Sequence, residues 1–223
     1  YMRVPADMNY EEWKRSYIGN EVEQNYKSVT VNVNSKETRM RMNRDVTAHR
    51  IDSASNNLYL SDEVNLKPRA LHQIDTGITK AMGIIGMISG AVLPKAFIIS
   101  DKEMQSNALA AYNPYSNELY LQAVTGDTSK LIELQADCAC PENKLSTFVH
   151  EYIHWQDAEK YRQRNGSIDK GYITSLRLWA KKQLEKLSPD EYNEISKYAS
   201  KCLYEGKFDE AYTEYRVKQL LRK

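Results

Sequence analysis

The sequence predicts an α+β fold: a small twisted sheet packed on one central helix, with a helical C-terminal subdomain. Three observations predict it. β-type runs lie before residue 124 and helical periodicity dominates after residue 141, the segregation expected of α+β chains. The stretch "AYNPYSNELYL", 111–121, sets two such runs about turn chemistry. The stretch "SPDE", 188–191, is a helix start, with Ser188 and Glu191 as a capping box and proline at the first helical position. Hydrophobic residues make up 41% of 223, enough for a sizeable core.

In chain order, residues 1–20 read as a short helix capped by Asp7 or Asn9, with Tyr10, Trp13 and Tyr17 on one face and a stop at Gly19-Asn20. Val29, Val31 and Val33 alternate with polar residues, as in a strand. The basic and polar run that follows reads as a linker ending near residue 50. From Pro68, the residues Leu71, Ile74, Ile78, Met82 and Ile85 keep helical spacing. The run "KAFIIS", 95–100, reads as a buried strand, and the hairpin's second strand falls near 118–123. A long helix starts near Pro141 or Ser146 and ends at Asn165-Gly166. Helices are expected over about 170–186, from the capping box to Gly206, and from Asp209 to the C-terminus.

Lys plus Arg is 31 and Asp plus Glu is 30, a net charge of +1. That balance gives no electrostatic reason to expect nucleic acid or an anionic membrane as partner. The most apolar stretch, 81–94, carries three glycines and is shorter than the roughly 20 residues that span a bilayer. Cys138 and Cys140 lack zinc-knuckle spacing and Cys202 stands alone, so the cysteines read as reduced thiols. No signal peptide is evident, and an intracellular setting is expected.

The chemistry concentrates in "HEYIH", His150 to His154. On a helix, positions i and i+4 share a face, so both imidazoles can reach one Zn²⁺. Glu151, one step round, can serve as general base to a water at the metal. Phe148, Val149 and Ile153 mark the helix as buried, where two histidines and a carboxylate need a partner. A third ligand is required. The pattern with a further glycine and histidine is excluded, because those positions hold Asp157 and Lys160. Asp169 in "GSIDKGY" is one remaining candidate. Glu210 in "FDEAYTEYRVKQLL" is the other, with Glu214 one turn on, able to accept the outer N–H of a ligand histidine.

The "HEYIH" helix, the later "EAYTE" helix and the preceding hairpin together resemble gluzincin metallopeptidases, nearest to the compact lethal-factor-like kind. The resemblance covers roughly residues 90–223. It implies a zincin-like fold, Zn²⁺ on His150, His154 and Glu210, and Glu214 supporting a ligand. It implies a strand edge at about 117–123 on which an extended peptide lies, so Asn117, Glu118, Leu119 and Tyr120 are the expected substrate-binding residues. Relatives of this kind also supply a tyrosine or histidine to the oxyanion, for which Tyr204 and Tyr198 are the candidates. The spacer from His154 to Glu210 is longer than in thermolysin-like enzymes, and two inserted helices would fill it.

The N-terminal "VPADMNYEEWKRSYI" resembles the tail of phage minor head (head-morphogenesis) proteins. The resulting expectation is an N-terminal segment, 1–50, from a phage head module, joined to a metallopeptidase domain, 51–223. Its activity would be zinc-dependent hydrolysis of peptide bonds, its partners a peptide or protein substrate and phage head components, and its location the bacterial cytoplasm or the virion. A catalytically silent phage module and a toxin-like effector on the same scaffold are the competing expectations.

Overall fold

The computed structural model describes residues 28–31, 46–51, 57–66, 68–100, 102–104, 109–123, 142–193 and 197–222. The helix expected over 1–20, the phage-like segment, Cys138 and Cys140 lie outside the described residues.

The chain is a mixed α+β protein. Among the described residues six strands, β1 (Ser28–Val31), β2 (Val46–Ile51), β3 (Leu58–Ser61), β4 (Lys95–Ser100), β5 (Ala110–Asn113) and β6 (Glu118–Ala123), form one sheet in the order β1-β2-β3-β4-β6-β5. β3, β4 and β6 run parallel, and β1, β2 and β5 pair antiparallel to their neighbours. Helix α1 (Pro68–Ile85) is the crossover that parallel β3 and β4 require.

The inner strands are buried on both faces, which is why Ala96 to Ile99 in "KAFIIS" are continuously apolar. Side chains alternate along each strand. Ala96, Ile98, Leu119 and Leu121 join the core beneath the helices. Phe97, Ile99 and Tyr120 belong to the opposite face. There Tyr59, Phe97 and Tyr120 stack in file, with ring centroids 4.8 and 5.6 Å apart.

Residues 46–50, expected as the end of a linker, belong to β2. A charged lead-in hides this strand in the sequence, and only Val46, Ala48 and Ile51 point inward. β2 pairs with β3 from Ala48↔Ser61 to Ile51↔Leu58, so the boundary expected at 50/51 runs through a paired strand.

Helix α2 (Glu142–Asn165) lies across the sheet between α1 and the C-terminal helices. Phe148, Val149, Ile153 and Trp155 are buried in the main core. Each such burial stabilises by about 1.5–3 kcal/mol, so the helix cannot roll about its axis without a large loss. That fixes the direction in which its histidines project. The helix ends at Gly166, whose φ of 82° no β-carbon residue adopts easily and whose N–H bonds to the Arg162 carbonyl.

Helices α3 (Tyr172–Leu184), α4 (Pro189–Asn193), α5 (Lys197–Tyr204) and α6 (Phe208–Leu221) follow. Of the helix expected from the capping box to Gly206, the described parts are α4 and α5, and residues 194–196 between them lie outside the described residues. The box itself forms: Ser188 N–H donates to Glu191 Oε2 at 2.9 Å, and Glu191 N–H donates back to Ser188 Oγ at 3.3 Å. Leu184, Ala199, Cys202 and Ala211 make a separate small core joining α3, α5 and α6. No helix among the described residues is long and apolar enough to cross a membrane.

Candidate metal centre

Two helices meet side by side at the site. α2 presents His150 and His154, and α6 presents Glu210 and Glu214, each pair one turn apart on one face. The lines of contact are set by apolar packing, since Val217 of α6 belongs to the same core as Ile153 and Trp155. Arg216 adds a polar clamp, donating to Asp157 Oδ2 at 2.6 Å and to Gln156 Oε1 at 3.0 Å.

The side chains converge. His150 Nε2 and His154 Nε2 stand 3.0 Å apart. Glu210 Oε2 is 3.1 Å from the first and 3.6 Å from the second. One donor atom from each of the three residues lies within 4.8 Å of the others. Three donors each about 2.0–2.1 Å from a tetrahedral Zn²⁺ are separated by roughly 3.3–3.4 Å, so the observed spacings fit one shared ion. The donor types, two imidazoles and a carboxylate, are those zinc takes.

The fourth side chain fixes a tautomer. His150 Nδ1 faces Glu214 Oε1 at 2.7 Å, so its N–H donates there and the Nε2 lone pair is turned inward. That nitrogen faces Glu210 Oε2 at 3.1 Å, a gap that either a proton or a metal ion can bridge. Burial alone would lower the His150 imidazole. Hydrogen bonds to Glu210 and Glu214 and the charge of Glu151 outweigh burial, and the group is raised from 6.5 to about 10. Burial pulls Glu210 the other way, yet the two histidines hold its carboxyl well below the usual range. The pocket therefore favours positive charge, whether carried by a proton or by a metal.

Glu151 is 7% exposed and lines a cleft of about 120 Å³ together with His154 and Glu210. The cleft's other walls are Tyr112 and Asn113 of β5, Tyr120 of β6, and Tyr172 and Arg177 of α3. Arg162 holds the hairpin against α2. It donates to the Tyr112 hydroxyl at 3.1 Å and to the Pro114 carbonyl, while pairing with Glu159 at 2.8 Å. Burial pushes the Tyr112 phenol up to about 12. Arg177 leans on the buried Asp209 at 3.2 Å.

Three expectations are corrected. Tyr204 is 94% exposed and does not line the cleft, because α5 turns Ala199 and Cys202 inward and Tyr204 out. The Tyr198 side chain lies outside those described. Asp169 accepts hydrogen bonds from the Tyr161 hydroxyl and the Gly171 N–H, shaping the α2–α3 loop apart from the cluster. The strand at 117–123 is not an edge: β6 is bonded to β4 on one side and β5 on the other. Asn117 instead bonds to Tyr112 and the Val92 carbonyl, Glu118 accepts from the Tyr120 hydroxyl, and Leu119 is core. Among the described residues the edge on the hairpin's side of the sheet is β5, which pairs with β6 alone, and β1 is the opposite edge.

Sequence reasoning missed Tyr112, Tyr172 and Arg177. Tyr172 had one signal, its place in "GSIDKGY" at a helix start, but with 16 tyrosines in the chain that spacing singles out none. Compared with family models, with curated proteins and with solved structures, the chain matches none.

Proposed function

We propose that this chain is a zinc-dependent endopeptidase of the gluzincin type. The observation that carries the reading is the convergence of His150 Nε2, His154 Nε2 and Glu210 Oε2 beside a cleft that Glu151 also lines. The lethal-factor-like resemblance of "HEYIH" and "EAYTE" supports the same ligand set. Zinc, when bound, supplies a positive charge that polarises a peptide carbonyl and acidifies water. His150, His154 and Glu210 would hold it, and Glu214 would keep the His150 ring in its ligating tautomer.

The chain's own residues supply the rest. A Glu151 carboxylate oxygen accepts a proton from the attacking water and returns it to the departing amide nitrogen. Its low exposure keeps competing solvent away from that oxygen. The Tyr172 hydroxyl, in the cleft wall, is our assignment for the donor that stabilises the developing oxyanion, in place of Tyr204. An extended substrate would lie along the β5 edge, where main-chain groups can add a strand.

The test is Glu151→Gln. Zinc content should match the parent protein while hydrolysis of a denatured protein substrate such as casein is lost. Hydrolysis retained in Glu151→Gln would remove the proposed base.

A further inference from the structure

We propose that a second cavity, walled by α2, α3 and α6, is a subsite for an acidic segment of the substrate with an aromatic or aliphatic residue beside the acid. This deepens the peptidase reading above and rests on it.

The cavity measures about 490 Å³, within the roughly 300–1,000 Å³ that bound small groups occupy. Three cations line it, Lys160 and Arg164 of α2 and Arg216 of α6, against one carboxylate, Asp157. Arg216 is the cation that Asp157 neutralises. Lys160 donates to Gln156, a neutral acceptor, at 3.0 Å. Arg164 has no ion pair among the described residues. Two exposed positive charges one turn apart therefore remain to meet an anion.

The opposite wall is aromatic. Trp179 packs edge-on against Tyr212 with centroids 5.3 Å apart, and the Arg216 guanidinium sits 5.9 Å over the Tyr212 ring. Trp179 still exposes 41% of its surface, leaving a ring for an apolar side chain to cover.

Tyr172 and Leu176 line both this cavity and the metal cleft. Tyr172 is 2% exposed, and its hydroxyl makes no hydrogen bond among the described residues. The two cavities share a wall, and one extended peptide can place neighbouring residues in each. This junction favours a peptide over a free aromatic acid, although both carry a carboxylate near a ring.

The test uses zinc-loaded Glu151→Gln protein and fluorescein-labelled Ala-Ala-Leu-Glu-Phe-Ala, its Gln-for-Glu counterpart, and free phenylacetate as competitor. Anisotropy should give the acidic peptide about tenfold tighter binding than its neutral counterpart, a rim-charge effect of ordinary size. Adding Lys160→Glu and Arg164→Glu should abolish the preference. Equal affinity for both peptides would overturn the subsite, as would a preference that survives the charge reversal. Displacement by phenylacetate at the peptide's own half-saturating concentration would overturn the peptide assignment in favour of a free acid. Parent protein is assayed for cleavage in parallel. Cleavage without charge preference in binding removes the subsite alone, whereas charge-sensitive binding without any cleavage removes the peptidase reading alone.

Discussion

Arg216 Nη1 lies 2.6 Å from Asp157 Oδ2, and this pair locks α6 against α2. The two side chains are only 18% and 8% exposed, so removing one leaves the other charged in a poorly hydrated place. Arg216→Ala is expected to cost about 3–5 kcal/mol, against a much smaller loss for the double change to Met and Leu, which leaves no stranded charge. Urea denaturation midpoints check this. Equal losses in the single and double variants would mean that packing, not charge, sets the clamp.

Glu214 is expected to act on the metal through His150. In Glu214→Gln the Nδ1–H loses its charged acceptor, and zinc affinity should fall by about 10–100-fold. Competition with a chromophoric chelator reads this directly. Unchanged affinity would reduce the 2.7 Å contact to a structural one.

Protons and metal compete for His150. Its imidazole is raised to about 10 by Glu210, Glu214 and Glu151 against the opposing effect of burial. In the metal-free protein, that raised group contributes stability fully below its ordinary 6.5, and the contribution is lost as pH climbs through about 10. Zinc must displace that proton, so apparent zinc affinity should rise by about tenfold per pH unit between about pH 7 and 9. A chelator titration across that range should show the slope, and a flat profile would contradict it.

Tyr172→Phe is expected to lower kcat by about 10²–10³, the usual loss for one oxyanion donor, with zinc content unchanged. Tyr204→Phe, altering a side chain 94% exposed, should leave kcat as it is. Reversed outcomes would return the role to α5.

Where the sequence was legible, the period of the apolar residues coincided with one dominant burial face. Phe148, Val149 and Ile153 marked α2 as buried, and the i,i+4 pairs His150/His154 and Glu210/Glu214 showed their shared faces directly. β2 was hidden because it carries Thr47, His49 and Arg50 between its inward residues. The choice of β5 over β6 as the edge was not written in the hairpin, since either strand of a two-strand unit can take the outer place. β4, pairing parallel with β6, decides it, and that contact is remote in sequence. Tyr204 failed for a related reason: which face of α5 turns inward depends on Leu184 and Ala211, residues of other helices.

The central claim is one zinc shared by α2 and α6, and metal analysis of the purified chain tests it most directly. Elemental measurement after dialysis should give one zinc per chain for the parent protein and for Glu151→Gln, and close to none for His150→Ala or Glu210→Ala, with circular dichroism confirming that each variant is folded. Equal zinc in the parent, His150→Ala and Glu210→Ala proteins would contradict the shared centre.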